Sequence, residues 1–155
     1  MGNTMSEKHN LIVEETRQAF FWLDNSVVSI DNKAYGMIAF DTILLSMFAY
    51  MFTFYSNRFW IYVAPAMLVV SLLCLLFCIK PRKWYGPDNE KTIKLFKGKP
   101  IEEISRILAA NYTSYDIVLW KIYKNKFKYL DLGLKITMVA IAMEVLVLVY
   151  FNLGP

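Results

Sequence analysis

The chain has 155 residues, of which 57% are hydrophobic, 16% aromatic and 19% charged, and its formal net charge is +4. Soluble domains contain roughly 45–50% apolar and about 25% charged residues, so this composition argues against a soluble globular protein. The single histidine, His9, cannot supply a histidine-based triad or a multi-histidine metal site, and we expect no catalytic residues, no metal and no cofactor.

The first predicted element is a cytoplasmic amphipathic helix within residues 1–33. Ser6 is a suitable N-cap, and one stripe of residues recurs at spacings of three and four. Glu14 and Glu15 lie off this stripe, whereas helices on a membrane surface favour Lys and Arg on their polar face. The pattern therefore favours packing against the protein's own helices over a position along the bilayer surface. The stripe consists of Ile12, Thr16, Ala19, Phe20, Leu23, Val27 and Ile30.

A transmembrane helical hairpin is predicted over residues 34–80. Residues 34–57 contain one charged side chain, Asp41, and residues 59–79 contain none. Each stretch has about 20 residues, which is enough to cross a hydrocarbon core about 30 Å thick at about 1.5 Å per residue. The turn at residues 56–58 is too short to recross the membrane, so the two spans should be antiparallel.

A basic cytoplasmic segment is predicted over residues 81–130. With Lys80 included, it contains 12 lysines and arginines against five acidic residues, a net charge of +7. Basic loops are retained in the cytoplasm. This segment and the N-terminus should therefore lie on the cytoplasmic side of the cell inner membrane, and the C-terminus on the outer side. Pro100 suits the first turn of a short helix, which we expect to end at residues 111–114.

The third predicted span occupies residues 131–155. From Tyr115 to about Phe151 the sequence shows no helix stop, with Gly133 the weakest point, so one long helix should continue from the cytoplasm into the membrane. The predicted fold class is therefore an all-α integral membrane protein with three transmembrane helices, an N-terminal amphipathic helix and a helical cytoplasmic loop that continues into the last span.

Charged residues inside the predicted spans are the candidate functional residues, because each costs at least about 2.5–3.5 kcal/mol at a helix centre. Asp41 would lie about 12 Å into the membrane. It would either form an ion pair with Lys135 or line a pore. Glu144 would lie about 20 Å along the third span.

Two interpretations of Glu144 are open. It is either a protonated carboxyl that hydrogen-bonds to a neighbouring helix, or one member of a carboxylate ring that favours cations. A ring would require a homo-oligomer, such as a tetramer, because three helices from one chain cannot enclose an aqueous path.

A basic stripe on the long helix is the candidate ligand-binding surface. Spacings of three, four and seven place its members on one face of the helix. Such a stripe either anchors the protein to anionic lipid headgroups, at about 1 kcal/mol per charge, or binds the phosphates of a nucleotide or oligonucleotide. Its members are Lys121, Lys124, Lys128 and Lys135.

Four short segments stand in a fixed order relative to the predicted spans. Asp31, Lys33 and Ala34 give an entry motif, D-x-K-A, just before the first span. The second segment is a basic-proline exit at residues 79–82. The third is a phenylalanine-glycine element at residues 95–98, followed by the acidic helix start Ile-Glu-Glu at residues 101–103, and the fourth is a basic helix at residues 119–130. Together they resemble the Pycsar effector transmembrane domain family over about residues 11–150.

The resemblance implies an antiviral effector that stays inactive in the membrane until a nucleotide second messenger signals infection. It also implies a partner nucleotidyltransferase or cyclase. Joined to the charged residues above, it predicts a homo-oligomer in the lipid bilayer that forms a gated ion-conducting pore. The alternative is a non-conducting membrane scaffold that docks a soluble partner through its basic loop.

Overall fold

The described part of the chain is helical. The computed structural model describes residues 3–55, 62–81, 94 and 96–153. These residues form three α-helices, α1 (Asn3–Tyr55), α2 (Val63–Ile79) and α3 (Ile101–Leu153), and contain no strand. The all-α prediction is thus confirmed for them. The predicted turn at residues 56–58 and much of the loop after α2, residues 82–93, lie outside the described residues.

The chain divides into two compact units. Unit 1 comprises Met1–Val28 and Pro81–Lys124, and unit 2 comprises Ser29–Lys80 and Asn125–Pro155. Helices α1 and α3 each contribute to both units, whereas α2 belongs to unit 2 alone.

Two helices are long and apolar enough to cross a membrane. The candidate spans lie within Asn10–Met51 of α1 and Ile101–Tyr150 of α3. Helix α2 is apolar as well, but its 17 residues are fewer than the roughly 20 of a typical span. The structure therefore supports membrane crossing by two helices, and a third crossing stays a prediction.

The core of unit 2 is small and apolar. Side chains from all three helices meet there, while large apolar side chains also cover its outside: Ile43 is 60% exposed, Phe77 60% and Leu146 65%. An apolar outer surface is what a helix bundle surrounded by lipid requires, because lipid tails solvate such side chains. The core cluster consists of Phe48, Ala64, Leu68 and Ala140.

Helix α3 is longer at its start than the sequence suggested. The predicted break at residues 111–114 is wrong, because the helix runs unbroken from Ile101. The hydroxyl of Thr113 donates to the carbonyl of Ala109 at 2.9 Å, and that of Ser114 donates to the carbonyl of Ala110 at 2.9 Å. These residues satisfy their polar groups within the helix, and without glycine or proline the helix need not end there.

The N-terminal stripe is buried only in its second half. Leu23 and Val27 are 5% and 0% exposed, whereas Ile12 is 51% exposed. In unit 1 the ring of Phe20 lies 5.7 Å from that of Tyr112, measured between centroids. Packing against the protein's own helices therefore describes the stripe from Phe20 onward.

Candidate functional site

A buried hydroxyl network joins the three helices of unit 2. Asp41 on α1 is 0% exposed, Ser71 on α2 is 0% exposed and Thr137 on α3 is 1% exposed. The hydroxyl of Thr137 donates to the two carboxylate oxygens of Asp41 at 2.9 and 3.1 Å. The oxygen of Ser71 lies 2.9 Å from that of Thr137, and the Ser71 hydroxyl donates to the carbonyl of Gly133 at 3.0 Å.

A glycine on α3 allows this network to form. A Cβ atom on Gly133 would lie only 2.9 Å from Cδ2 of Leu75, so the side chain of Leu75 on α2 would have to shift to admit an added methyl group. Small residues permit such close helix contacts in membrane proteins. The close approach brings the hydroxyl of Ser71 within reach of the backbone of α3. The residue predicted to weaken the helix is instead the point where two helices meet.

Of the two interpretations of Asp41, the ion pair with Lys135 is not the one found. Lys135 instead pairs with Asp131 at 2.6 Å, one turn away on the same helix, and its side chain is 69% exposed. Lys135 lies two residues before Thr137, and residues two apart on a helix point to opposite sides. The face of α3 that reaches Asp41 therefore carries a hydroxyl group and not an ammonium group.

Glu144 on α3 is also buried, at 5% exposure. Its Oε2 atom has no hydrogen-bond partner within the part of the chain that the structure describes. A buried carboxyl group with an unsatisfied oxygen is costly in an apolar environment. The oxygen remains available to a water molecule, a cation or a further donor. Both candidate pore carboxyls, Asp41 and Glu144, thus lie inside the single chain and not on its outer surface.

A second buried polar group surrounds Lys126 on α3, which is 6% exposed. Its ammonium group donates to Oδ1 of Asp31 on α1 at 2.5 Å. It also donates to the carbonyl of Cys78 on α2 at 2.8 Å and to that of Lys80, just after α2, at 3.4 Å. In return the thiol of Cys78 donates to the carbonyl of Lys126 at 3.3 Å. We call these four residues the Lys126 cluster.

The Lys126 cluster gives the entry motif a structural role. Asp31 forms the ion pair and Ala34 is 0% exposed, whereas Lys33 is exposed. Lys126 is not among the residues predicted from the sequence, because it lies off the basic stripe. One signal could have found it: Asp31 has no basic residue three or four positions away on its own helix, so a partner had to come from elsewhere in the chain.

The four lysines of the basic stripe are all exposed. Lys121 and Lys124 belong to unit 1, and Lys128 and Lys135 belong to unit 2. The ammonium of Lys124 lies 5.2 Å from the centroid of the Trp120 ring. Exposure at all four positions is compatible with lipid headgroups and with a phosphate ligand. Among the described residues, no group of His, Cys, Asp or Glu is arranged to hold a metal ion.

Comparison with known families identifies the chain. The model of the Pycsar effector protein domain matches residues 17–153, which include the hydroxyl network, the Lys126 cluster and Glu144. No curated protein and no solved structure matches significantly. The family match confirms the resemblance found in the sequence. The chain therefore belongs to the Pycsar effector protein domain family and is an antiviral membrane effector.

Proposed function

We propose that this effector assembles as a homo-oligomer, such as a tetramer, and forms a gated cation-conducting pore that disrupts the inner membrane during infection. The buried Glu144 carries the proposal. Its Oε2 atom lacks a protein partner among the described residues, and a buried ionisable group in a membrane helix is costly, which points to a functional role. Copies of Glu144 around a water-filled path would attract cations.

The proposed topology has three spans, with the N-terminus and residues 81–130 in the cytoplasm and the C-terminus outside. The excess of basic residues in residues 80–130 supports this orientation. Helix α2 has 17 residues, the lower limit for a span, and it follows the apolar residues Phe59, Trp60 and Ile61. A short hairpin connection would then return the chain to the cytoplasmic side.

The proposed signal is a nucleotide made by a partner nucleotidyltransferase or cyclase. Lys121, Lys124 and Lys128 are exposed on one helix and would bind its phosphates. A ligand shifts a two-state equilibrium only through a difference in affinity between the states. Bound phosphate must therefore interact more strongly with these lysines in the open state than in the sealed state.

Recordings across planar bilayers test the pore directly. Purified protein should pass current when a member of a panel of cyclic mononucleotides and oligonucleotides is added. In asymmetric KCl, Glu144→Gln should move the reversal potential toward zero because the proposed ring loses its charge. Glu102→Gln, an exposed position near the start of the same helix, is the matched control and should leave the potential unchanged.

Two outcomes would contradict the proposal. An unchanged reversal potential for Glu144→Gln would remove Glu144 from the ion path. Protein that never passes current under any member of the panel would leave the alternative function, a non-conducting scaffold that docks a soluble partner through residues 81–130.

The role of the basic stripe is tested by charge reversal. Replacement of Lys121, Lys124 and Lys128 by Glu should abolish activation by the cyclic nucleotides, whereas Lys97→Glu, at another exposed lysine, should not. Activation that survives the triple replacement would assign the stripe to lipid anchoring.

A further inference from the structure

One ammonium group joins all three helices of unit 2. Lys126 lies on α3, its carboxylate partner Asp31 lies on α1, and its carbonyl partners Cys78 and Lys80 lie at the end of α2. We propose that the Lys126 cluster is a releasable latch that holds the effector in its sealed state. This inference rests on the gated pore proposed above.

The donor count shows how complete the cluster is. A lysine ammonium has three N–H donors and no acceptor, and here three oxygen atoms receive them. The carbonyls at the C-terminal end of a helix lack partners within the helix and carry partial negative charge. Lys126 therefore satisfies the end of α2 and neutralises Asp31 with a single side chain.

A cluster of this kind favours two discrete states. If Asp31 moved away alone, a buried ammonium group would lose its counter-ion, which is strongly unfavourable. Lys126 must therefore either keep all of these contacts or lose them together. The Asp31 side chain is 27% exposed, so water can reach the pair as it separates. The hydroxyl network has no such access, because Asp41 and Ser71 are 0% exposed.

The basic stripe lies on a different side of α3 from the latch. Lys124 and Lys128 are each two residues from Lys126, and such positions point to opposite sides of a helix. Both are exposed, whereas Lys126 is buried. A rotation of α3 that turned the exposed lysines toward a bound phosphate would also move Lys126 out of its cluster. Ligand binding and latch release would then be one movement.

Cys78 is a built-in reporter of the latch. Its thiol is 0% exposed and donates to the carbonyl of Lys126, so separation of α2 from α3 would expose it. Replacing Cys74 with Ala leaves Cys78 as the single cysteine of the chain. Maleimide labelling then measures latch opening without requiring a current.

The experiment uses the full chain carrying Cys74→Ala in vesicles of phosphatidylethanolamine and phosphatidylglycerol, with no nucleotide present. Lys126→Met removes the ammonium group, and Asp31→Asn keeps an oxygen acceptor of the same size without the charge. Arg106→Met is the matched control, because it removes a positive charge at an exposed position of the same helix that belongs to neither the cluster nor the basic stripe. Labelling of Cys78 and release of trapped K⁺ are measured together.

The latch predicts at least tenfold faster labelling and K⁺ release for Lys126→Met, a smaller increase for Asp31→Asn, and no change for Arg106→Met. If the Lys126→Met variant does not insert into the vesicles, the result for Asp31→Asn tests the latch. Labelling as slow as in the parent protein would overturn the latch. Fast labelling of Asp31→Asn in sealed vesicles, with a parent protein that conducts when nucleotide is added, would also overturn it. Fast labelling with no conduction by any protein would overturn the pore itself.

Discussion

The two units hold their polar side chains in different ways. In unit 1 the ion pairs are local and exposed: Arg17 pairs with Glu14 at 2.7 Å, and their side chains are 49% and 46% exposed. In unit 2 the carboxylate of Asp31 and the ammonium of Lys126 lie 95 positions apart in sequence, and the Lys126 side chain is 8% exposed. Exposed ion pairs in water contribute little to the stability of the folded protein. Polar groups surrounded by apolar side chains must instead find partners within the protein.

Aromatic contacts join α1 and α3 in unit 1, whereas unit 2 combines its buried polar contacts with a stacked pair, Phe77 on α2 and Tyr129 on α3, 5.9 Å apart between ring centroids. The ring of Phe20 on α1 lies 5.7 Å from that of Tyr112 and 6.3 Å from that of Tyr115, both on α3. Burial of apolar surface drives helix association in water but not in lipid, whose tails are equally apolar. The buried polar contacts between the helices of unit 2 are those expected of a segment that lipid surrounds.

The largest effect is expected where α2 and α3 touch. Gly133→Leu should destabilise the protein by roughly 3 kcal/mol, because the new side chain must displace Leu75 and Ser71. Gly36→Leu is the matched control, since a Cβ there has no neighbouring atom within 4 Å. Thermal unfolding in detergent measures both. Equal stability of the two variants would show that close helix contact is not what holds unit 2.

The next effect comes from the hydroxyl network. Thr137→Val removes the donor to Asp41 and should cost about 1–3 kcal/mol, because a buried carboxyl group loses its partner. Thr42→Val should cost no more than about 0.5 kcal/mol, since the exposed Thr42 hydroxyl donates only to the carbonyl of Ile38 on its own helix. Chemical unfolding of both variants in the same detergent checks this. Similar costs at the two positions would contradict the role of the network.

In unit 1, Asp116 should make stability depend on pH. Burial raises the pKa of its carboxyl group above 3.8, so the folded protein holds a proton that the unfolded chain releases. Stability should fall as pH rises through the window between 3.8 and the raised pKa, and stay constant above it. Asp116→Asn should therefore stabilise the protein at neutral pH and leave its stability unchanged at acid pH. A gain of equal size at all pH values would exclude titration of this carboxyl as the cause.

The smallest effect is expected at the exposed pair of unit 2. Asp131→Asn should change stability by less than about 0.5 kcal/mol, because the Asp131 and Lys135 side chains are 42% and 69% exposed on one helix. Asp31→Asn, the same replacement in the Lys126 cluster, should cost several times more. Unfolding in detergent compares the two directly. A larger loss of stability for Asp131→Asn than for Asp31→Asn would show that the exposed pair, and not the pair in the Lys126 cluster, stabilises unit 2.

Sequence patterning predicted the long apolar helices, but it predicted neither the continuity of α3 through residues 111–114 nor the contacts between the helices. Long apolar stretches predict membrane helices because lipid selects for composition over a span. The partners of Asp31 and Asp41 come from distant positions, and a hydroxyl group such as that of Thr137 barely changes hydropathy. The Asp41–Lys135 pair was predicted from similar depth alone, whereas the direction in which each side chain leaves its helix decides which residues meet.

The central claim is that lipid surrounds unit 2. It is tested most directly by spin labels on cysteines at Leu146 and, for comparison, at Ile117 in unit 1, in a background with Cys74 and Cys78 replaced by Ala. Both positions are exposed in the chain, at 65% and 70%. Molecular oxygen collects in lipid, whereas a polar nickel chelate stays in water. The account predicts that the label at Leu146 collides mainly with oxygen and the label at Ile117 also with nickel. Frequent nickel collisions at Leu146 would contradict it.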